Sequence, residues 1–218
     1  MRVTEEELRE FVDSYWNRID GAMRETLEMD REFGFLILRD ETLAPTSKTM
    51  GSKTGISYVE LLSSMPREEW EKIVGDFHTH TEMQDNPSSD DVSFSIKTGC
   101  EVLGLGCPET RVVKVWLLDL EALSKERAKE EFATLLDWSK RLETERDALD
   151  KDIERVAEEL DVAVMQENWS KVSALTEKLD AFKDKRTKVI NEVYEFISEV
   201  GNYLGRYSIT KIERGWYP

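Results

Sequence analysis

Two histidines, His78 and His80, are the only ones in the 218-residue chain, and a single threonine separates them. In an extended strand, positions i and i+2 point to the same face. The two imidazoles can therefore aim at one point, as metal binding requires. A carboxylate, Asp91, follows His80 by eleven residues, at the start of an expected helix. Two neutral ring nitrogens and one carboxylate oxygen suit zinc and leave a fourth position open for water. The expectation is one zinc ion per chain, held by His78, His80 and Asp91. Asp91 also has a plainer reading as a helix cap, and a lone aspartate in so acidic a chain is usually that. On the residues alone both readings stand.

The elements that must position these groups follow from the pattern around them. Ile73–Phe77 reads as a strand running straight into His78-Thr79-His80, with a polar loop behind it up to Ser88. Ser88-Ser89-Asp90-Asp91 is an N-cap cluster, so a helix is expected from Val92 to about Cys100. Upstream, Thr4 with Glu7 forms a capping-box signature. Leu8, Phe11, Tyr15, Ile19 and Met23 then recur at helical spacing, which predicts one helix to about Met29. Glu32 leads into F-G-F-L-I-L, residues 33–38, a nearly continuous apolar run that reads as a buried strand. Residues 39–54 are polar and read as a loop or ragged hairpin. Ile56–Leu62 is a candidate strand, and Pro66–Lys72 a short helix. Val102–Gly106 and Val112–Leu118 read as two further strands. Strands and helices alternating in this way make the first part of the chain, residues 1–120, an α/β domain with a mixed sheet flanked by helices.

The character changes at about Glu121. Leu135, Leu142, Leu149, Val156 and Ala163 repeat every seven residues. After Gln166-Glu167-Asn168 the pattern restarts through Val172, Leu175, Leu179, Phe182, Val189 and Val193. Two apolar stripes across a short polar turn predict a long antiparallel helical hairpin over residues 121–205. Residues 206–218 alternate weakly, at Tyr207 and Ile209 with Ile212 out of step. They read as a strand that could return to the first sheet, which would make the hairpin an insertion.

The segment H-T-H-T-E-M-Q-D-N-P-S-S-D-D holds His-x-His, seven residues, Ser, two residues and Asp. It resembles the JAMM motif of the MPN-plus zinc metalloproteases, isopeptidases that remove ubiquitin or ubiquitin-like proteins. Pro87 matches the family's proline before the motif serine, whereas Thr81 stands where the family usually has proline after the second histidine. The resemblance covers residues from about 5 to 118, implies the cytidine-deaminase-like MPN sheet, and assigns further roles. Glu32, ahead of its apolar strand, would be the general acid–base. Ser88 would donate a hydrogen bond to the developing oxyanion. The substrate would be the glycine-ended tail of a ubiquitin-like protein or its conjugates, laid beside a strand edge, with residues 39–62 placed to help grip it. Asp76, Asp85 and Asp90 read as loop residues or as supports behind the ligands. D-F-H-T-H-T also looks like the opening of PHP-type phosphoesterases, but those sites need further histidines and this chain has none left. Many MPN relatives are scaffolds without activity, so the alternative reading is an interaction protein that uses the hairpin for a homodimer or a complex partner.

Bulk composition narrows the field further. The formal net charge of −16 is a poor match for a phosphate backbone, so nucleic acid is not an expected partner. No run approaches the length of a membrane span, and the start M-R-V-T-E-E-E-L is charged rather than apolar, so a cytoplasmic protein is expected. Cys100 and Cys107 read as buried thiols, too few for a second tetrahedral zinc site.

Overall fold

The computed structural model describes residues 2–218. Thr4 opens the first helix: its hydroxyl accepts from the Glu7 backbone N–H while the Glu7 carboxylate takes the Thr4 backbone N–H. The helix expected to run unbroken to Met29 is in fact two, α1 (Glu5–Ser14) and α2 (Trp16–Met29). Tyr15 leaves helical geometry between them, and its ring packs on Phe11 and the core. Tertiary packing here overrides a continuous local periodicity.

The remaining elements are β1 (Phe33–Arg39), β2 (Leu43–Pro45), β3 (Thr49–Met50), α3 (Val59–Ser64), α4 (Arg67–Trp70), β4 (Ile73–Thr79), α5 (Ser89–Thr98), β5 (Val102–Cys107), β6 (Val112–Leu118), α6 (Leu120–Leu123), α7 (Glu126–Met165), α8 (Trp169–Arg206) and β7 (Ser208–Gly215). Seven strands form one mixed sheet in the order β2-β1-β4-β5-β6-β7, with β3 also on β1. Only β4 and β5 run parallel, joined by the α5 crossover. Ile56–Leu62 is not the strand that its composition suggests. The outer edge of β1 is already taken by β2 and β3, and the segment ends in α3, which buries none of its own residues.

The two faces of the sheet differ. Phe33, Phe35, Ile37, Phe77 and Val115 pack with Leu8, Ile19 and Met23 of α1 and α2 in one apolar core. On the other face Asp76, His78 and Lys114 are buried among apolar neighbours in the registers, Leu36, Leu103, Leu105 and Trp116. Burying polar groups is costly unless each has a partner, so these three side chains must be held by hydrogen bonds.

By compactness the chain forms two units. One comprises the residues up to Glu131 together with Val200–Pro218; the other is Phe132–Glu199. The ends of the segment expected as hairpin, 121–131 and 200–205, thus belong to the first unit. The tail does return to the sheet: β7 pairs antiparallel with β6. Its inward residues are Ile212 and the buried Trp216, whereas Ile209 is half exposed. The second unit is a helical pair inserted in the sequence of the first. Val156, Ala163 and Leu175 are buried between its helices, with Leu160, Leu179 and Phe182 packed around them. Arg141–Glu192 and Arg186–Asp150 ion pairs link its two arms.

Candidate metal centre

His78 is the penultimate residue of β4, and His80 follows one residue beyond the strand. This is the carboxyl end of the parallel pair, where the crossover leads away and leaves room for a ligand. His80 is still tied to the sheet, because its backbone N–H donates to the Gly106 carbonyl at 2.9 Å. Both side chains lie on the face opposite the α1–α2 core. Their Nε2 atoms are 3.3 Å apart.

The far side of each ring is pinned. His78 Nδ1 is 2.9 Å from Asp76 Oδ2, and His80 Nδ1 is 3.0 Å from the Gln84 carbonyl. A carboxylate and a carbonyl only accept, so both Nδ1 atoms carry the hydrogen. In the neutral rings both Nε2 lone pairs then face the same point. Asp91 brings a carboxylate to it: Oδ1 lies 3.4 Å from His78 Nε2, and Oδ2 lies 3.7 Å from His80 Nε2.

The start of α5 holds Asp91 in place. Ser88 is the N-cap, and its hydroxyl accepts from the Asp91 backbone N–H at 3.2 Å. Asp91 Oδ2 in turn accepts from the Ser88 backbone N–H and the Ser88 hydroxyl, both at 2.7 Å. Capping and facing the histidines are therefore not alternatives for Asp91, since one carboxylate does both. The helix N-terminus also favours the ionised form.

With the rings neutral, three acceptor atoms thus converge, all within 4.8 Å of one another. That cluster could hold a cation. With zinc bonds of about 2.0–2.2 Å, neighbouring ligand atoms of a tetrahedron sit roughly 3.3–3.5 Å apart. The 3.3 Å between the two ring nitrogens and the 3.4 Å from His78 to Asp91 Oδ1 match this, whereas the 3.7 Å contact to His80 is made by the other oxygen, Oδ2, so one oxygen serves both histidines only after the carboxylate turns. The residues fit a zinc ion. A proton feels the same field. Burial pulls the His78 pKa down, but the Asp91 and Asp76 carboxylates outweigh it and hold the ring well above its ordinary range. Burial likewise works against the Asp91 charge, and His78 and His80 overcome it, keeping that carboxyl well below its usual value.

Glu32 is buried, with 7% of its surface exposed. The β1–β4 register pairs Gly34 with His78, and continued outward it sets Glu32 opposite His80. Burial raises its pKa against the opposing pull of both histidines. Its backbone is clamped on the other side, where its N–H donates to Ser52 and its carbonyl accepts from Gly51. Beyond Gly51 lies a groove of about 540 Å³ lined by Thr49, Met50, Ile56 and Val59. Ser88 is less free than its expected role asks, because its hydroxyl hydrogen is engaged by Asp91.

Of the three supporting aspartates, Asp76 backs His78, Asp85 pairs with Lys114 at 2.8 Å, and Asp90 is exposed. Lys114 also reaches Asn86 and so anchors the loop that presents the Gln84 carbonyl to His80. Sequence reasoning missed Lys114, although a lone cation inside V-V-K-V-W-L-L is a signal that a buried partner exists. It also missed Tyr58, whose hydroxyl meets Asp76, and no local signal points to that contact. Cys100, buried beneath the site's helix, has its thiol pushed up to about 11 by desolvation, and neither cysteine is a ligand in the cluster. Compared with protein-family models, curated proteins and solved structures, the chain matches none.

Proposed function

We propose that this protein is a zinc-dependent peptidase of the MPN-plus kind, cutting the amide bond after the C-terminal tail of a ubiquitin-like modifier. The observation that carries the reading is the convergence of His78, His80 and Asp91 on one point, with both Nδ1 atoms already committed and a buried glutamate alongside. The order of elements supports it: helix, strand led by Glu32, strand ending in the histidine pair, then the helix capped by Ser88. Bound zinc supplies a Lewis acid that acidifies water and polarises the scissile carbonyl.

The chain's own groups do the rest. Glu32 accepts the proton of the attacking water and delivers it to the leaving amine. A carboxyl held above its ordinary range by burial suits both halves of that task. Ser88 serves the oxyanion by turning its hydroxyl from Asp91 to the substrate, after which Asp91 keeps the Ser88 backbone N–H as its partner. The groove lined by Gly51 and Ser52, the two residues whose backbone bonds that of Glu32, is where the extended tail would be laid.

The test is cleavage of fusions in which small ubiquitin-fold proteins ending in two glycines are joined to a reporter amine. The zinc-loaded protein should release the reporter. Glu32→Gln should retain zinc and lose about 10²–10⁴-fold in rate. Equal rates for the two proteins would contradict the assignment of Glu32. Zinc binding without cleavage of any such fusion would favour the scaffold reading.

A further inference from the structure

Behind the ligand shell lies a second set of buried contacts that the proposed reaction does not use. Asp76 sits on the same face of β4 as His78, two residues earlier, and is 3% exposed. Its Oδ2 accepts from His78 Nδ1 at 2.9 Å and from the Tyr58 hydroxyl at 3.2 Å, a hydroxyl whose one hydrogen is shared with the Phe77 carbonyl at 3.3 Å. Tyr58 comes from the segment before α3, on the far side of β1, and it too is buried. To reach Asp76 its hydroxyl crosses β1 at Gly34, the residue paired with His78. A Cβ on Gly34 would stand 2.7 Å from that hydroxyl, so the crossing exists only because position 34 has no side chain.

We infer that Tyr58 and Asp76 are positioning residues for the metal, a relay in which Tyr58 orients the Asp76 carboxylate and Asp76 fixes the His78 ring and its tautomer. The inference rests on the zinc-site reading above. Asp76 is acceptor-only, so it keeps the hydrogen on Nδ1 and the lone pair of Nε2 aimed at the cluster. Its charge also makes the ring a stronger donor to a cation. The phenol remains a donor throughout the ordinary pH range, because burial and the Asp76 carboxylate push its ionisation far up. Asp76 Oδ1 has no hydrogen-bond partner. The charge is therefore not spread over a rich network: Oδ2 carries both bonds, and the relay is narrow. His80 differs, since its Nδ1 is held by a backbone carbonyl that no substitution removes.

The discriminating substitutions are Asp76→Asn and Tyr58→Phe. An amide at position 76 removes the charge and can also present an N–H to Nδ1, which favours the tautomer that blocks Nε2. Zinc affinity would be measured by competition with a chelating dye. Cobalt(II) in place of zinc would give a visible spectrum of the ligand field, and melting of the metal-free proteins would report the fold. Asp76→Asn should weaken zinc binding about 10–100-fold and shift the cobalt bands, while the metal-free protein still melts cooperatively. Tyr58→Phe should weaken binding in the same direction by a smaller factor. Unchanged affinity and an unchanged cobalt spectrum in both variants would overturn the relay. If Asp76→Asn fails to fold, Tyr58→Phe decides alone, and wild-type affinity and spectrum in that variant would overturn it. If the unaltered chain takes up neither metal, the site reading itself fails, which is a different result from metal binding that ignores positions 58 and 76.

Discussion

The ring nitrogens that face away from the cluster decide what His78 and His80 can hold. Each Nδ1 is bonded to an oxygen that only accepts, so each Nε2 is left as a donor to a cation. Asp91 is similarly divided between two tasks, as Oδ2 takes both Ser88 groups while Oδ1 stands nearest His78. This division makes a specific prediction for Ser88. Ser88→Ala removes the cap on the Asp91 N–H, and the metal-free protein should lose roughly 0.5–2 kcal/mol of stability in denaturant unfolding. An unchanged midpoint would mean that the cap is not formed in solution. At this scale the convergence of His78 and His80 was legible because strand periodicity sends positions 78 and 80 to one face, while Asp91 was singled out only by its spacing to them. Their supports were only partly legible. Asp76 lies within the same periodicity, but Tyr58 and the Gln84 carbonyl meet the rings through long-range folding that no local spacing encodes.

The carboxyl end of β4, the loop after it and the start of α5 form one device, and its precision depends on how closely β4 and β5 approach. Gly75 of β4 pairs with Val102, and a Cβ there would meet the Val102 carbonyl oxygen at 2.1 Å. The obstacle is backbone, so it cannot swing aside as a flexible side chain could. Gly75→Ala should therefore destabilise the fold by about 1–3 kcal/mol or more, read from the unfolding midpoint. Wild-type stability in that variant would show that the parallel pair is more loosely seated. Most strands were legible from short apolar runs, and α5 from its capping cluster. The misreadings share a physical cause. Tyr15 continues a helical stripe but is drawn out of the helix by packing against Phe11. Ile56–Leu62 has strand-like composition but meets an edge already paired. In β7 the residue that looked out of step, Ile212, is the one that enters the core.

For the whole molecule, the inserted helical pair and the sheet unit are separately organised. The candidate metal ligands, their supports and the groove all lie in the unit formed by residues up to 131 and from 200 onward. That unit keeps its own tie between α7 and α8, where the Tyr203 hydroxyl donates to the Ala128 carbonyl at 3.2 Å. Replacing residues 132–199 by a short glycine-rich turn should leave zinc content per chain unchanged. Loss of zinc from the shortened protein would show that the helical pair is needed to form the site. Among the described residues no helix is long and apolar enough to cross a membrane. The charge of −16 also gives any cation site a favourable long-range field, though one that salt screens.

The measurement that bears most directly on the central claim is zinc content per chain in the purified, reconstituted protein, with His80→Ala beside it. The geometry of His78, His80 and Asp91 predicts about one zinc per chain, lost in the variant. No bound zinc after reconstitution, or the same content in His80→Ala, would contradict the metal centre and with it the proposed hydrolase.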